Sequence, residues 1–175
     1  GHPSGQGMSV PTLLTPYEEL QVRLRLKQRR VVLAAPTPTA WATANARIVT
    51  PSQGVAPWYP YTYQQTLLDD QSPRRLVLKA RQTGLSTAIA LEALYYATHF
   101  PHDRTLFVSR NQELAGLLIR YAQVALAGMA TPVRTVSESQ SKLVFANGSE
   151  IVSLPANPAT GRGYPASRLY LDEFA

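Results

Sequence analysis

One short segment of the chain, residues 79–87, has the residue types of a loop that binds phosphate. It reads Lys-Ala-Arg-Gln-Thr-Gly-Leu-Ser-Thr and lies between a predicted buried strand and a predicted helix. In such a loop, successive backbone N–H groups surround the phosphates, and the N-terminus of the following helix adds its dipole. Gly84 would let the backbone approach closely, and the Ser86 hydroxyl would bind Mg²⁺.

This candidate phosphate loop departs from the standard pattern G-x-x-x-x-G-K-[ST] at two positions, because Lys79 replaces the first glycine and Leu85 replaces the lysine. Phosphoryl transfer still needs a cation beside the β- and γ-phosphates. Lys79, at the mouth of the loop, and Arg81, on its crest, are the candidates. The alternative is a basic strand-to-helix turn without a ligand. The expected nucleotide contacts from the loop are Lys79, Arg81, Gln82, Thr83, Gly84, Leu85, Ser86 and Thr87.

A second segment, residues 169–173, ends an apolar run with two adjacent carboxylates, as in the Walker B motif of P-loop ATPases. Asp172 would hold Mg²⁺ through water, and Glu173 would orient or deprotonate the attacking water. An isolated Asp-Glu pair is usually only solvated. Because this pair follows the candidate phosphate loop with two strand-and-helix elements between them, the combination predicts an ATPase that uses ATP and Mg²⁺.

The sequence between the two motifs alternates strand and helix signals, which is typical of a parallel sheet flanked by helices. We expect helices over 61–71, 86–99 and 111–127, strands over 75–80, 104–109 and 168–172, and a hairpin over 142–154 with Asn147-Gly148 at its turn. The expected fold class is α/β, with a mainly parallel sheet in an ASCE-type P-loop NTPase core.

The N-terminal third differs in composition from the remainder. Residues 1–7 look like the remnant of an expression tag before Met8. Thr15 and Glu18 have capping-box spacing, which predicts a helix running to about Arg30. Residues 31–60 are rich in Pro, Ala and Thr, which predicts a linker or an irregular loop. The expected division is an extension over 8–60 and a partial ATPase domain over 61–175.

Composition limits the possible classes. A chain of 175 residues, 45% apolar, suits a single domain. It has no cysteine, its three histidines lack ligand spacing, and no apolar run approaches the roughly 20 residues of a membrane span, so we expect no zinc site and no membrane. The net charge of +6 favours a polyanion partner, although five of the 17 basic residues lie between Arg23 and Arg30 and could form a solvated helix.

The candidate phosphate loop resembles the deviant Walker A motif of large terminase subunits, in which the lysine can stand at the start of the motif. Tyr63-Gln64-Gln65 resembles the adenine-reading element of that family, with Gln64 as the base contact; the alternative is an exposed polar helix start. Residues 106–115 resemble the second conserved strand-loop-helix of the family, and residues 145–149, 154–158 and 161–164 resemble the stretch that leads into its Walker B motif. The resemblance covers about residues 58–175 and depends mainly on order and spacing.

The resemblance implies a motor ATPase that drives viral double-stranded DNA into procapsids in the host cytoplasm. The implied partners are the portal or procapsid, the small terminase subunit and further copies of the chain in a ring. Arg81 resembles an arginine that touches phosphate within its own subunit. Arg162 lies where ring-forming terminases place an arginine that reaches a neighbour's γ-phosphate; the alternative is a loop arginine bound to a carboxylate or to water.

Two features of the resemblance are missing, and two other interpretations remain open. The coupling motif and nuclease domain of a large terminase subunit are not recognisable in this sequence, so the resemblance implies a truncated protein. One rival is a helicase-like P-loop ATPase, which would share the loop and the Asp-Glu pair. The other is a fragment that binds nucleotide or DNA, or only self-associates, without turnover.

Overall fold

The computed structural model describes residues 15–23, 35–50, 52–157 and 163–172. The chain divides into two compact units, residues 1–34 and 35–175. In the first unit, residues 16–23 form helix α1. The Thr15 N–H donates to Glu18 Oε2 at 2.8 Å, and the Glu18 N–H donates to Thr15 Oγ1 at 3.3 Å. This reciprocal capping confirms the predicted helix start; the predicted continuation over 24–30 lies outside the described residues.

The second unit combines a five-stranded sheet, a separate two-stranded hairpin and four helices in its described part. The helices are α2 (Pro38–Asn45), α3 (Thr62–Asp69), α4 (Leu85–His99) and α5 (Gln112–Ala127). The strands are β1 (Arg47–Thr50), β2 (Gly54–Pro57), β3 (Arg104–Ser109), β4 (Thr135–Glu138), β5 (Lys142–Phe145), β6 (Glu150–Pro155) and β7 (Arg168–Asp172).

The five-stranded sheet has the order β4-β5-β6-β3-β7. Strand β3 pairs in parallel with both β6 and β7, whereas β4, β5 and β6 are successively antiparallel. The predicted hairpin is confirmed: β5 and β6 flank Asn147-Gly148, and Gly148 takes the left-handed φ of +83° that a tight turn requires. The fold is therefore mixed α/β, and the expectation of a mainly parallel sheet was wrong because the hairpin and β4 add an antiparallel half.

The core lies among the sheet and helices α2, α4 and α5. Helix α4 is buried on nearly every side, and Leu91, Ala93 and Leu94 have no exposed surface. Phe107 of β3 and Ile119 of α5 are equally buried. A helix that is mostly apolar on every side is one that is covered on every side, so α4 is the central helix of the core.

The expectation that 31–60 lacks regular structure was wrong for its described part. Pro38 does not break a helix; it begins α2 directly after Thr37, whose Oγ1 accepts the Ala40 N–H at 3.2 Å. The hairpin β1-β2 follows. Trp41 and Trp58 are 8% and 3% exposed and belong to the main core. This stretch is thus packed into the compact unit that begins at Ala35.

The strand predicted over 75–80 is also absent. The segment is extended but pairs with no strand, and the side chains of Leu76 and Leu78 are fully exposed. In the described part of the chain β7 pairs only with β3, so 75–80 has no strand beside it to satisfy its backbone N–H and C=O groups. Side-chain ion pairs at its two ends hold it instead, as described below.

Among the helices of the described ranges, none combines the length and the apolar character needed to cross a membrane.

Candidate functional site

The candidate phosphate loop turns sharply before α4. Gln82 and Gly84 both adopt left-handed φ values, +60° and +69°, and α4 begins at Leu85. The bond from the Ala88 N–H to the Gly84 carbonyl, 3.1 Å long, is the first of the helical type. The N–H groups of the first turn consequently have no partner within the helix and are available at its N-terminal end, where the helix dipole is positive.

Three polar side chains meet at this helix terminus. Lys79 Nζ lies 3.1 Å from Asp172 Oδ1, and the Ser86 hydroxyl donates to Asp172 Oδ2, also at 3.1 Å. The Lys79 and Asp172 side chains are 25% and 11% exposed, so the cluster is largely shielded yet open to a ligand. Lys79 ends the extended segment, Ser86 lies in the first turn of α4 and Asp172 ends β7, so three separate elements position them.

The donor set fits Mg²⁺ in the way that Mg²⁺ usually binds to proteins. Ser86 and Asp172 supply a hydroxyl and a carboxylate whose oxygens are 3.1 Å apart. In the ranges that the structure describes, no group of three or more His, Cys, Asp or Glu side chains could hold a metal ion. A site with one carboxylate and one hydroxyl suits an ion that keeps several waters and shares its remaining ligands with phosphate oxygens.

A second layer of contacts fixes the loop from the side of α3. The Thr83 carbonyl accepts two hydrogen bonds, from Tyr63 Oη at 2.6 Å and from Gln64 Nε2 at 3.1 Å. Gln64 Oε1 in turn accepts the Tyr61 N–H at 2.9 Å. A Cβ on Gly84 would lie 2.8 Å from Gln64 Nε2, so a larger residue would displace this amide, and the φ of +69° is itself one that favours glycine. The contacts join α3 to the loop.

These contacts bear on the prediction that Gln64 reads a base. Its side chain is buried, with 3% exposure, and both ends of its amide already have partners. A contact with adenine would require Gln64 to exchange one of these bonds. The base-reading role stays a prediction, while the structure gives Gln64 a direct contact with the loop.

The other predicted loop residues differ in how far they are exposed to solvent. Arg81 and Gln82 are exposed on the loop, and Thr87 is half-buried in the first turn of α4. Leu85 is 6% exposed. The residue at the usual lysine position is therefore buried, and an apolar side chain suits a buried position. Glu173 and Arg162, the predicted water-activating base and neighbour-reaching arginine, lie outside the described residues.

A buried ion pair anchors the start of the extended segment. Arg75 Nη2 lies 2.7 Å from Glu92 Oε1, and Glu92 on α4 is 1% exposed. Burial raises the pKa of Glu92, against the opposing effect of Arg75. Burial disfavours the Arg75 charge, but the Glu92 carboxylate outweighs it and raises the pKa of Arg75. With Arg75 attached to α4 and Lys79 attached to Asp172, the unpaired segment is tied at both ends.

Sequence reasoning missed one residue beside the site. Ser109 ends β3 and lies opposite Asp172 in the parallel register. The carboxyl ends of parallel strands meet at one sheet edge, so a polar residue ending a predicted strand next to the Asp172 strand was the available signal. It could not be used because the sequence does not show which strands are neighbours.

Comparison with known proteins leaves the family open. No protein-family model matches the chain, and no curated protein matches it significantly.

Proposed function

We propose that this chain binds ATP with Mg²⁺ at the N-terminus of α4 and takes part in hydrolysing it. The observation that carries the proposal is the meeting of Lys79, Ser86 and Asp172 at that terminus. A cation, a hydroxyl and a carboxylate beside a turn of free backbone N–H groups form the set that a P-loop nucleotide site requires. The proposed architecture is accordingly a P-loop NTPase core.

Ligand binding changes the partners of Lys79. In the free protein Lys79 contacts Asp172. The triphosphate takes over the ammonium group, because three or four negative phosphate charges compete with one carboxylate. Asp172 and Ser86 are then available to hold Mg²⁺, which supplies charge neutralisation at the phosphates. Lys79 thus performs the role of the lysine that the standard motif places at the position of Leu85.

The nucleoside has a cleft available beside the loop. A cavity of about 540 Å³ lies between α3 and residues 74–80, and Tyr63 and Thr83 contribute to its wall. This is within the size range of small-molecule pockets. Tyr63 stacks on Tyr61 at 5.6 Å with the ring planes 9° apart, and it is still 46% exposed, which leaves aromatic surface for contact with a base.

The finer proposal is that the chain is the ATPase portion of a terminase large subunit. Its support is the order and spacing of the motifs over about residues 58–175. On this proposal the partners are double-stranded DNA, the portal or procapsid, the small terminase subunit and further copies of the chain. Glu173 orients the attacking water, Arg81 contacts phosphate in its own subunit, and Arg162 contacts the nucleotide of a neighbour.

Titration calorimetry with MgATP tests the nucleotide site. We expect saturable binding by the wild type, weakened about 10- to 100-fold in Lys79→Ala because a charge-assisted contact is lost. Leu85→Met is the matched control, because Leu85 is buried and this swap conserves volume. Equal affinity of Lys79→Ala and wild type, or weakening in Leu85→Met as large as in Lys79→Ala, contradicts the assignment.

A phosphate-release assay tests turnover. We expect Glu173→Gln to bind MgATP like the wild type but to release no phosphate, because an amide cannot accept a proton from water. If the wild type binds MgATP but releases no phosphate, either alone or with DNA, the proposal of hydrolysis is contradicted and the proposal of a nucleotide-binding site stands.

A further inference from the structure

Ser109 carries a buried hydroxyl without a partner. The residue is 1% exposed, and its Oγ makes no hydrogen bond to any part of the chain that the structure describes. Its backbone carbonyl is engaged, accepting the Ala156 N–H at 2.8 Å. Buried hydroxyls are nearly always bonded, because an unmade bond leaves the cost of desolvation uncompensated. This hydroxyl therefore needs an explanation.

The neighbours of Ser109 suggest what its partner is. Ser109 is in register with Asp172, so the two side chains project from the same face of the sheet. Phe107 and Tyr170 lie two residues earlier on the same two strands. Their ring centroids are 5.5 Å apart, which shows that side chains paired in this register are in contact. Ser109 thus lies beside Asp172 on the neighbouring strand, with its side chain on the same face of the sheet as the carboxylate of the candidate site.

In the free protein the Asp172 carboxylate is occupied by other groups. Lys79 contacts Oδ1 and Ser86 contacts Oδ2. If the triphosphate draws Lys79 away, as the proposed function requires, Asp172 loses its cation and one oxygen needs a new donor. Ser109, in register with Asp172 on the neighbouring strand, has a buried hydroxyl that can donate this bond.

We propose that Ser109 is a positioning residue that donates a hydrogen bond to Asp172 once Lys79 has moved to the phosphates. The bond holds the carboxylate in the orientation that serves Mg²⁺. The Ser109 hydroxyl is unpartnered in the free protein because its partner is committed elsewhere, and it becomes bonded in the complex. This inference rests on the proposed function, since without a bound phosphate Lys79 stays on Asp172.

The chain contains a matched control. Ser153 on β6 is also 1% exposed and lies in register with Phe107, one strand from the site, but its Oγ has a partner, the Ser141 carbonyl at 3.4 Å. Ser153→Ala therefore removes a bonded hydroxyl at an equally buried sheet position. Ser109→Ala removes an unbonded one.

The experiment compares wild type, Ser109→Ala and Ser153→Ala in two titrations, one with MgATP and one with ATP in EDTA. We expect Ser109→Ala to weaken MgATP binding about tenfold, the effect of losing one bond to a charged group, and to weaken binding of ATP in EDTA less, because without the metal ion the orientation of the Asp172 carboxylate no longer matters for Mg²⁺. Ser153→Ala should match the wild type in both titrations. The melting temperature of ligand-free Ser109→Ala should not fall, because no bond is lost.

The outcomes separate the two proposals. MgATP binding by the wild type with equal affinity in Ser109→Ala overturns the role of Ser109 alone. A melting temperature lowered in Ser109→Ala also overturns it, because the hydroxyl then has a structural partner in the free protein. If Ser109→Ala weakens the binding of MgATP and of ATP in EDTA equally, the proposal that Ser109 orients a group that holds Mg²⁺ is overturned. Absence of ATP binding by folded wild type overturns the proposed function, and the inference fails with it.

Discussion

Asp172→Asn should change the affinity for ATP in opposite directions with and without Mg²⁺. In the free protein the carboxylate competes with phosphate for Lys79, at 3.1 Å, and its own charge repels the ligand. The amide removes both effects. The ion pair is partly shielded, and such contacts are worth about 1 kcal/mol, so ATP in EDTA should bind about fivefold more tightly to Asp172→Asn than to the wild type.

With Mg²⁺ present the same substitution removes the carboxylate that holds the hydrated ion. Loss of a supporting group alone commonly costs 10- to 100-fold in metal affinity, so MgATP should bind about tenfold more weakly or worse. The ratio of the two affinities should therefore shift by about 50-fold between wild type and Asp172→Asn.

Calorimetry in both buffers measures this ratio directly. Glu138→Gln is the control for net charge, because Glu138 is exposed on β4, the strand at the opposite edge of the sheet from β7. It should leave the ratio unchanged. Weaker binding of Asp172→Asn in both buffers would refute the reasoning, since the carboxylate would then not compete for Lys79. An unchanged ratio would remove Asp172 from the Mg²⁺ site.

Three further substitutions test how the site is supported. Gly84→Ala should destabilise the fold by about 1–2 kcal/mol in urea unfolding and abolish MgATP binding, because φ is +69° and the new Cβ would meet Gln64 at 2.8 Å; wild-type stability would show that the loop rearranges freely. Wild-type stability should fall between acidic and neutral pH relative to Glu92→Gln, because the pKa of Glu92 is raised in the folded state, so its ionisation as pH rises favours unfolding; parallel pH profiles would show that Glu92 titrates normally. Trp58→Ala should cost about 3–5 kcal/mol, since Trp58 is 3% exposed in the main core; a cost below 1 kcal/mol would mean that residues 35–60 do not contribute to the core.

Local signals in the sequence predicted many of the elements correctly. The capping box at Thr15 gave the start of α1, and the Asn147-Gly148 turn gave the β5-β6 hairpin. The strand over 104–109 was predicted to the residue, and the helices now called α4 and α5 to within one residue at each end. In each case the local sequence pattern and the packing in the folded protein favour the same element, so the local pattern was sufficient to predict that element.

The predictions that were wrong concern segments whose structure depends on contacts with distant parts of the chain. Residues 75–80 have the composition of a strand, but a strand needs a partner, and none of the described strands lies beside this segment. The prolines of 36–60 were interpreted as structure breakers, although Pro38 occupies the helix position that tolerates proline and Trp41 is buried behind it. The secondary-structure propensities of the residues do not show which of these segments packs against the core.

The candidate site shows the same difference between what local sequence signals reveal and what depends on long-range pairing. Lys79, Ser86 and Asp172 were predicted from residue type and order, and the structure brings them together. Ser109 could not be found, because its significance depends on the register of β3 with β7. Register depends on how distant segments pair, which no local pattern specifies.

The most direct test of the central claim is to locate bound ATP by NMR. The backbone amides of ¹⁵N-labelled protein would be assigned and followed during titration with MgATP. We expect the largest saturable shifts at residues 82–86, whose N–H groups would face the phosphates, and small shifts in the β1-β2 hairpin. Saturable shifts that avoid residues 79–87 and 172, or no saturable shifts from folded protein, would contradict the central claim.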